Sequence, residues 1–286
     1  MKIFTVVIIA VVSILPSYSN ASPQDDLKKF RQYYKKKFPS VQFSDYQNGI
    51  YALDKNRRET WEGFEDFAPA YEKAVKLGKK LFRTPFANGR TYASCFKNDG
   101  VGIKQNYPYF DSRKGKVKTL EMEINECRAM NGEKRLKYAK GSLAAISAYM
   151  SYTSRGKTID VKIPNDRRAR KIYEKGKRFF YAKRGQLNFS CADCHVYNAG
   201  VSVRTDLMGP GLGQVTHFPV WRQKWAAKGG GDVTVGLGTL HRRYAGCNKN
   251  IRAKPLKPQS DGYVALEYFH SYMSNGLKIN GPSIRQ

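Results

Sequence analysis

The chain has 286 residues, with 51 Lys+Arg against 23 Asp+Glu and a formal charge of +28. A balance this basic points to an acidic protein partner, an anionic substrate or an anionic membrane surface. No apolar run in the sequence reaches the length of about 20 residues that a helical span needs, which excludes a membrane span.

Residues 1–21, MKIFTVVIIAVVSILPSYSNA, place one Lys before an apolar run from Ile3 to Leu15 and end in small and polar residues. This is the pattern of a signal peptide cleaved between Ala21 and Ser22, the alternative being an uncleaved anchor for which the run is short. The expected compartment is the bacterial periplasm, where nucleic acid is not a partner. About 265 residues remain, enough for two modest domains that each bury a core. Residues 22–66 read as a basic helical extension, and the run Lys35-Lys36-Lys37 reads as a solvated face.

Further along, YEKAVKLGKKLF (Tyr71 to Phe82) is an amphipathic basic helix candidate, followed by a glycine-containing loop and YASCFKNDG (Tyr92 to Gly100). YEKGKRFF (Tyr173 to Phe180) repeats that pattern ahead of SCADCHVYNAG (Ser190 to Gly200). C-x-x-C-H in an exported chain supplies two thiols for thioether bonds to haem vinyl groups and an adjacent imidazole for the iron. Cys191 and Cys194 are therefore expected to attach one c-type haem, with His195 as axial ligand. A zinc half-site would need two more clustered ligands, and a redox dithiol would not need His195.

The two halves are copies. SYTSRGKTI (Ser151 to Ile159) recurs as SYMSNGLKI (Ser271 to Ile279), an offset of 120 residues that also carries Thr119-Leu120 onto Thr239-Leu240 and Cys127 onto Cys247. Nearer the cysteine loops the offset is about 98, which implies an insertion in the second copy, best placed in the glycine-rich Trp225 to Gly238 segment. The expected architecture is mainly α, with two tandem cytochrome c-like domains: residues 67–165, without haem, and residues 166–286, with it. If Cys95 takes the place of Cys191, then Asn98 and Asp99 stand where the second thiol and the histidine should be. No haem can attach there, and Cys95 and Cys127 are expected to form a disulfide; two free buried cysteines are the alternative.

Five cysteines, less two for haem and two for the disulfide, leave Cys247. It lies 52 residues beyond His195, suited to approach the iron from the opposite face, and Arg243, Arg242, Lys249 and Arg252 nearby favour a thiolate. At the place of Arg243 the first copy has Glu123. Met208 and Met273 are the rival axial ligands, although a methionine among Tyr268, Phe269 and Tyr272 is more often core. His217, His241 and His270 show no paired metal-ligand spacing and are expected to be packed or hydrogen-bonded.

ASCF with a later ECR, then CADCH, THFPVWR, RRYAGCN and the terminal SNGLKINGPSIR together resemble SoxA, the catalytic subunit of the SoxAX c-type cytochromes. The missing first motif makes the chain similar to the single-haem members. The resemblance implies an L-cysteine S-thiosulfotransferase of bacterial sulfur oxidation, which joins thiosulfate oxidatively to a cysteine of a SoxYZ-like carrier and passes two electrons to a cytochrome c acceptor. It also implies a small SoxX-like cytochrome as heterodimer partner, Cys247 as an axial cysteine modified as a persulfide, and Arg243 as the substrate-contacting arginine. The competing reading is a periplasmic electron-transfer cytochrome with His/Met ligation and no substrate chemistry of its own.

Overall fold

A computed structural model describes residues 22–203 and 206–285; the expected leader lies outside them. Helix α1 (Pro23–Lys37) begins at a reciprocal cap in which the Ser22 hydroxyl accepts from Asp25 N–H and the Asp25 carboxylate accepts from Ser22 N–H, each at 3.1 Å. Short 3-10 turns over Phe43–Leu53 lead to α2 (Lys55–Phe67), capped by Asp54.

Two helical units of the same order follow. The first runs α3 (Glu72–Arg83), a loop carrying Cys95, the hairpin of β1 (Tyr109–Asp111) and β2 (Lys116–Lys118), α4 (Leu120–Met130) and α5 (Ser142–Tyr152). The second runs α6 (Arg167–Tyr181), the haem-attachment loop, a ribbon of β3 (Ser202–Val203) and β4 (Asp206–Leu207), then β5 (Val220–Trp221), α7 (Gln223–Ala226), β6 (Leu237–Gly238), α8 (Leu240–Asn250), α9 (Asp261–Met273) and β7 (Ser283–Ile284). The glycine-rich segment read as an insertion lies between β5 and β6, which pair antiparallel.

What makes the units alike is one helix crossing. A Cβ on Gly78 of α3 would lie 2.0 Å from the Ala145 carbonyl oxygen of α5, and a Cβ on Gly176 of α6 would lie 2.0 Å from that of Ala265 in α9. These are equivalent positions at the two offsets of the repeat, so both copies bring backbone against backbone where only glycine fits. The larger core surrounds α6 and α9 and takes Phe30 and Tyr34 from α1; the second lies within the first unit; a third, of Tyr71, Ala74, Ala144, Ala145, Ala148 and Leu237, joins the two.

In the first unit the disulfide between Cys95 and Cys127 is present, with Cα atoms 5.7 Å apart, tying the loop to α4. Glu123, one turn before Cys127, accepts hydrogen bonds from the hydroxyls of Tyr107 and Tyr109. The position that holds a cation in the second copy is thus a carboxylate satisfied within its own unit.

Gly176→Ala should lower the denaturant midpoint, costing about 1–3 kcal/mol, because the methyl forces two packed helices apart. Gly63 in α2 has nothing within 4 Å of its Cβ position, and Gly63→Ala should raise stability by about 0.5–1 kcal/mol.

Candidate functional site

After α6, the chain turns through a bridge between Arg184 and Phe189, and the Ser190 hydroxyl accepts from Asp193 N–H at 3.0 Å. Residues Asp193–Tyr197 then form a single π-helical turn that presents Cys194 and His195, with Cys191 just before it, to one cavity. The His195 ring donates from Nδ1 to the Gly209 carbonyl at 2.8 Å, which fixes the ring's orientation and leaves Nε2 for a second partner.

Helix α1 holds this turn from behind. The Tyr34 hydroxyl donates to the His195 carbonyl and accepts from Gly211 N–H at 2.9 Å. Lys37 donates to the carbonyls of Val196 at 3.1 Å and Tyr197 at 2.6 Å, placing a cation at the C-terminal end of the turn. The basic run therefore divides: Lys35 and Lys36 are exposed as expected, whereas Lys37 is a half-buried clamp. Sequence periodicity could not separate them, because a lysine reads the same whether its tip meets water or a carbonyl.

The cavity has a volume of about 150 Å³, is partly open to solvent, and has apolar walls that include Phe180, Val220, Leu240 and Leu266. Cys247 enters it from α8 and meets the His195 ring within hydrogen-bonding reach. Burial pushes the Cys247 thiol up, yet Arg243, the contact with His195 and Arg222 pull it down further, to about 6. In contrast, burial raises Cys191 to about 11 and also raises Cys194. One of the three free thiols is thus poised as a thiolate at neutral pH, and it is the one beside the arginines.

Arg243 lines the cavity one helical turn before Cys247, as its spacing suggested. Arg222 and Arg285 were quoted within motifs but given no role. Strands β5 and β7 are parallel, with Trp221 opposite Ile284, and Arg285 N–H donates to the Trp221 carbonyl at 2.8 Å, so the next residue of each strand lies beside the other. Both guanidinium groups are buried, which lowers Arg222 to about 10 and Arg285 to about 9. Their one sequence signal is an arginine closing an otherwise apolar stretch, costly to bury without a partner.

Of the rival ligands, Met273 is buried beneath α1 and α6, away from the cavity, whereas Met208 lines it beside the Gly209 carbonyl that holds His195. The other histidines are packed or hydrogen-bonded. His217 stacks on Trp61, His241 pairs with Glu267 at 2.9 Å, and neutral His270 donates to the Gly211 carbonyl at 3.0 Å. Burial, with the nearby His195, lowers His270 to about 3. Among the described residues no group of three or more His, Cys, Asp or Glu side chains could hold a bare metal ion.

The donor set suits haem in its chemistry: two thiols and an imidazole of fixed orientation in one short stretch, apolar walls, and a buried Arg285 whose Nε has no hydrogen-bond partner. These features define a c-type cytochrome. A model described as the SoxA/TsdA cytochrome c domain matches residues 77–159, the copy without the attachment motif. The chain is 51% identical to the L-cysteine S-thiosulfotransferase subunit SoxA of Chlorobaculum tepidum over 261 residues, covering 91% of this chain and 87% of that one. It is 46% identical to the subunit of the same name from Allochromatium vinosum, covering 93% and 91%. The solved SoxXA from P. pantotrophus superposes with a TM-score of 0.70 at 29% identity, over 80% of this chain and 84% of the other. The chain belongs to the SoxA family.

Tyr34→Phe should destabilise the haem unit by about 0.5–1.5 kcal/mol, the net worth of a buried hydrogen bond. Tyr152→Phe, at an exposed position, should change little. Denaturant unfolding followed at the haem absorption band separates the two outcomes.

Proposed function

We propose that this chain is the catalytic subunit of a periplasmic, single-haem thiosulfotransferase, with residues 22–66 as an extension, 67–165 as a haem-free cytochrome c-like domain and 166–286 as the catalytic one. The observation that carries the reading is the thiolate-prone Cys247 beside Arg243, in the same cavity as Cys191, Cys194 and His195. Cys191 and Cys194 would hold the haem through thioethers, and His195 and Cys247 would be the side chains that bind its iron. Bound there, the haem supplies a one-electron redox centre next to the reactive sulfur.

Thiosulfate is a dianion with a nucleophilic outer sulfur and a sulfonate end. Arg243 takes the sulfonate through charge-assisted hydrogen bonds, which turns the outer sulfur toward Cys247. An S–S bond forms between that sulfur and the Cys247 thiolate, and two electrons leave to cytochrome acceptors, giving Cys247–S–S–SO₃⁻. A cysteine thiolate of a SoxYZ-like carrier then attacks the outer sulfur, the bond to Cys247 breaks, and the products are carrier–S–S–SO₃⁻ and the Cys247 thiolate. Hydrolysis of the S–SO₃⁻ bond in that adduct, in which water carries the sulfonate off as sulfate and two protons are released, would leave Cys247 as a persulfide. The two electrons match the oxidation of one thiol and one thiosulfate to a disulfide-level product. A SoxX-like small cytochrome as heterodimer partner offers the first acceptor, a role supported by the likeness to SoxXA.

Arg243→Ala should retain covalent haem and lose turnover by about one to two powers of ten, as expected for a hydrogen bond to a charged group worth about 1.5–3 kcal/mol in the transition state. Unchanged conjugation would remove Arg243 from the mechanism. Cys247→Ala should also keep the haem, since Cys191, Cys194 and His195 are untouched, yet change the axial-ligand spectrum and abolish conjugation. An alanine variant with a normal spectrum and full activity would return the chain to the electron-transfer reading with a methionine ligand.

A further inference from the structure

Among the described residues the cavity is lined by four arginines, Arg184, Arg222, Arg243 and Arg285, against one carboxylate, Asp206. Arg285 is one of the most confined of the cavity's cations. It is 5% exposed, its Cζ lies 5.1 Å from the centroid of the Phe218 ring, and Gln214 accepts from Nη1 through its side-chain oxygen at 2.9 Å and from Nη2 through its carbonyl at 3.0 Å. Its buried Nε meets no acceptor. Tyr51, Arg243, Arg222 and Cys247 act on it, the two arginines as like charges. Gly49, at φ +58°, faces the guanidinium so closely that a Cβ there would fall 2.5 Å from Nη2. The chain therefore gives up a side chain in the extension to admit a buried cation whose Nε–H meets no acceptor among the described residues, an arrangement that costs stability unless an acceptor completes it.

We propose that Arg285 anchors a carboxylate subsite of this cavity, separate from Arg243, and that a haem propionate fills it. The inference rests on the reading that the cavity holds a covalent haem. Two sources could supply the anion, a propionate or a second substrate molecule, and position favours the first. Gln214, which fixes the guanidinium, also approaches His195 Nδ1 to 3.5 Å, so Arg285 lies toward the histidine side of the cavity, whereas Arg243 rises from α8 on the Cys247 side. Substrate has to meet Cys247, where Arg243 already stands one turn away, so the arginine tied to His195 through Gln214 serves a group delivered with the haem. The unused Nε–H is a donor for such a carboxylate oxygen.

The test uses the haem-loaded protein in complex with its small cytochrome partner, as Arg285→Gln, which removes the charge, and Arg285→Lys, which keeps it. Intact mass first establishes that haem is attached in each, so a failure of the haem reading is seen separately. The inference expects Arg285→Gln to shift the haem midpoint potential to more negative values, because a lost cation favours the ferric state, and to alter the propionate bending bands in the resonance Raman spectrum. Arg285→Lys should recover most of both shifts, and KM for thiosulfate should stay within twofold of wild type in both. A KM raised tenfold with unchanged propionate bands would assign the subsite to substrate, and no change in any readout would make Arg285 a packing residue; either result overturns the proposal. Should the Gln variant not fold, ¹³C-labelled propionates in the unmutated protein give the answer by NMR. One carboxyl should stay ionised well below the pH at which the other titrates, and two carboxyls titrating alike as solvent-exposed acids would overturn it.

Discussion

Backbone touches backbone where α6 crosses α9, at Gly176 against Ala265, and the geometry of the haem cavity follows from that contact. Because the helices cannot separate, the loop leaving α6 must turn at once, which brings Cys191, Cys194 and His195 over the face of α9 that carries Leu266 and His270. Helix α8 closes the opposite side with Arg243 and Cys247 one turn apart. The first copy keeps the same crossing, at Gly78 and Ala145, and so keeps the fold after its attachment motif is lost. There the two sulfurs that would flank a cofactor bond to each other.

Electrostatics separates the copies in function. In the second, buried guanidinium groups lower one thiol while burial raises the other two. In the first, Glu123 replaces the arginine and is satisfied by two tyrosine hydroxyls, so no thiolate is favoured. The first copy has instead a supporting role, contributing Tyr71, Ala74 and the alanines of α5 to the core shared with Leu237 of β6. Strand β6 leads directly into α8, so this packing steadies the helix that carries Cys247.

The repeat was legible because both copies obey one packing demand, and GKKLF and GKRFF record it with glycine at equivalent places. Cys247 and Arg243 were legible because a helix turns fixed spacing into a shared face. Arg222 and Arg285 were not, since they end two-residue strands 63 residues apart whose parallel pairing leaves no periodic trace. Lys37 and Tyr34 were hidden for a related reason: they act on carbonyls of the haem loop more than 150 residues away, through contacts that the local pattern of a basic helix does not encode.

The central claim is that one copy retains haem beside a single reactive thiol while the other has replaced the cofactor with a disulfide. Peptide-mapped intact mass of the native protein, taken with and without reductant, addresses it most directly. The account predicts one haem, on the peptide containing Cys191 and Cys194, Cys95 joined to Cys127, and Cys247 recovered alone, either as a thiol or carrying reducible extra sulfur. A second haem on the chain, or Cys247 found in a disulfide with Cys95 or Cys127, would contradict it.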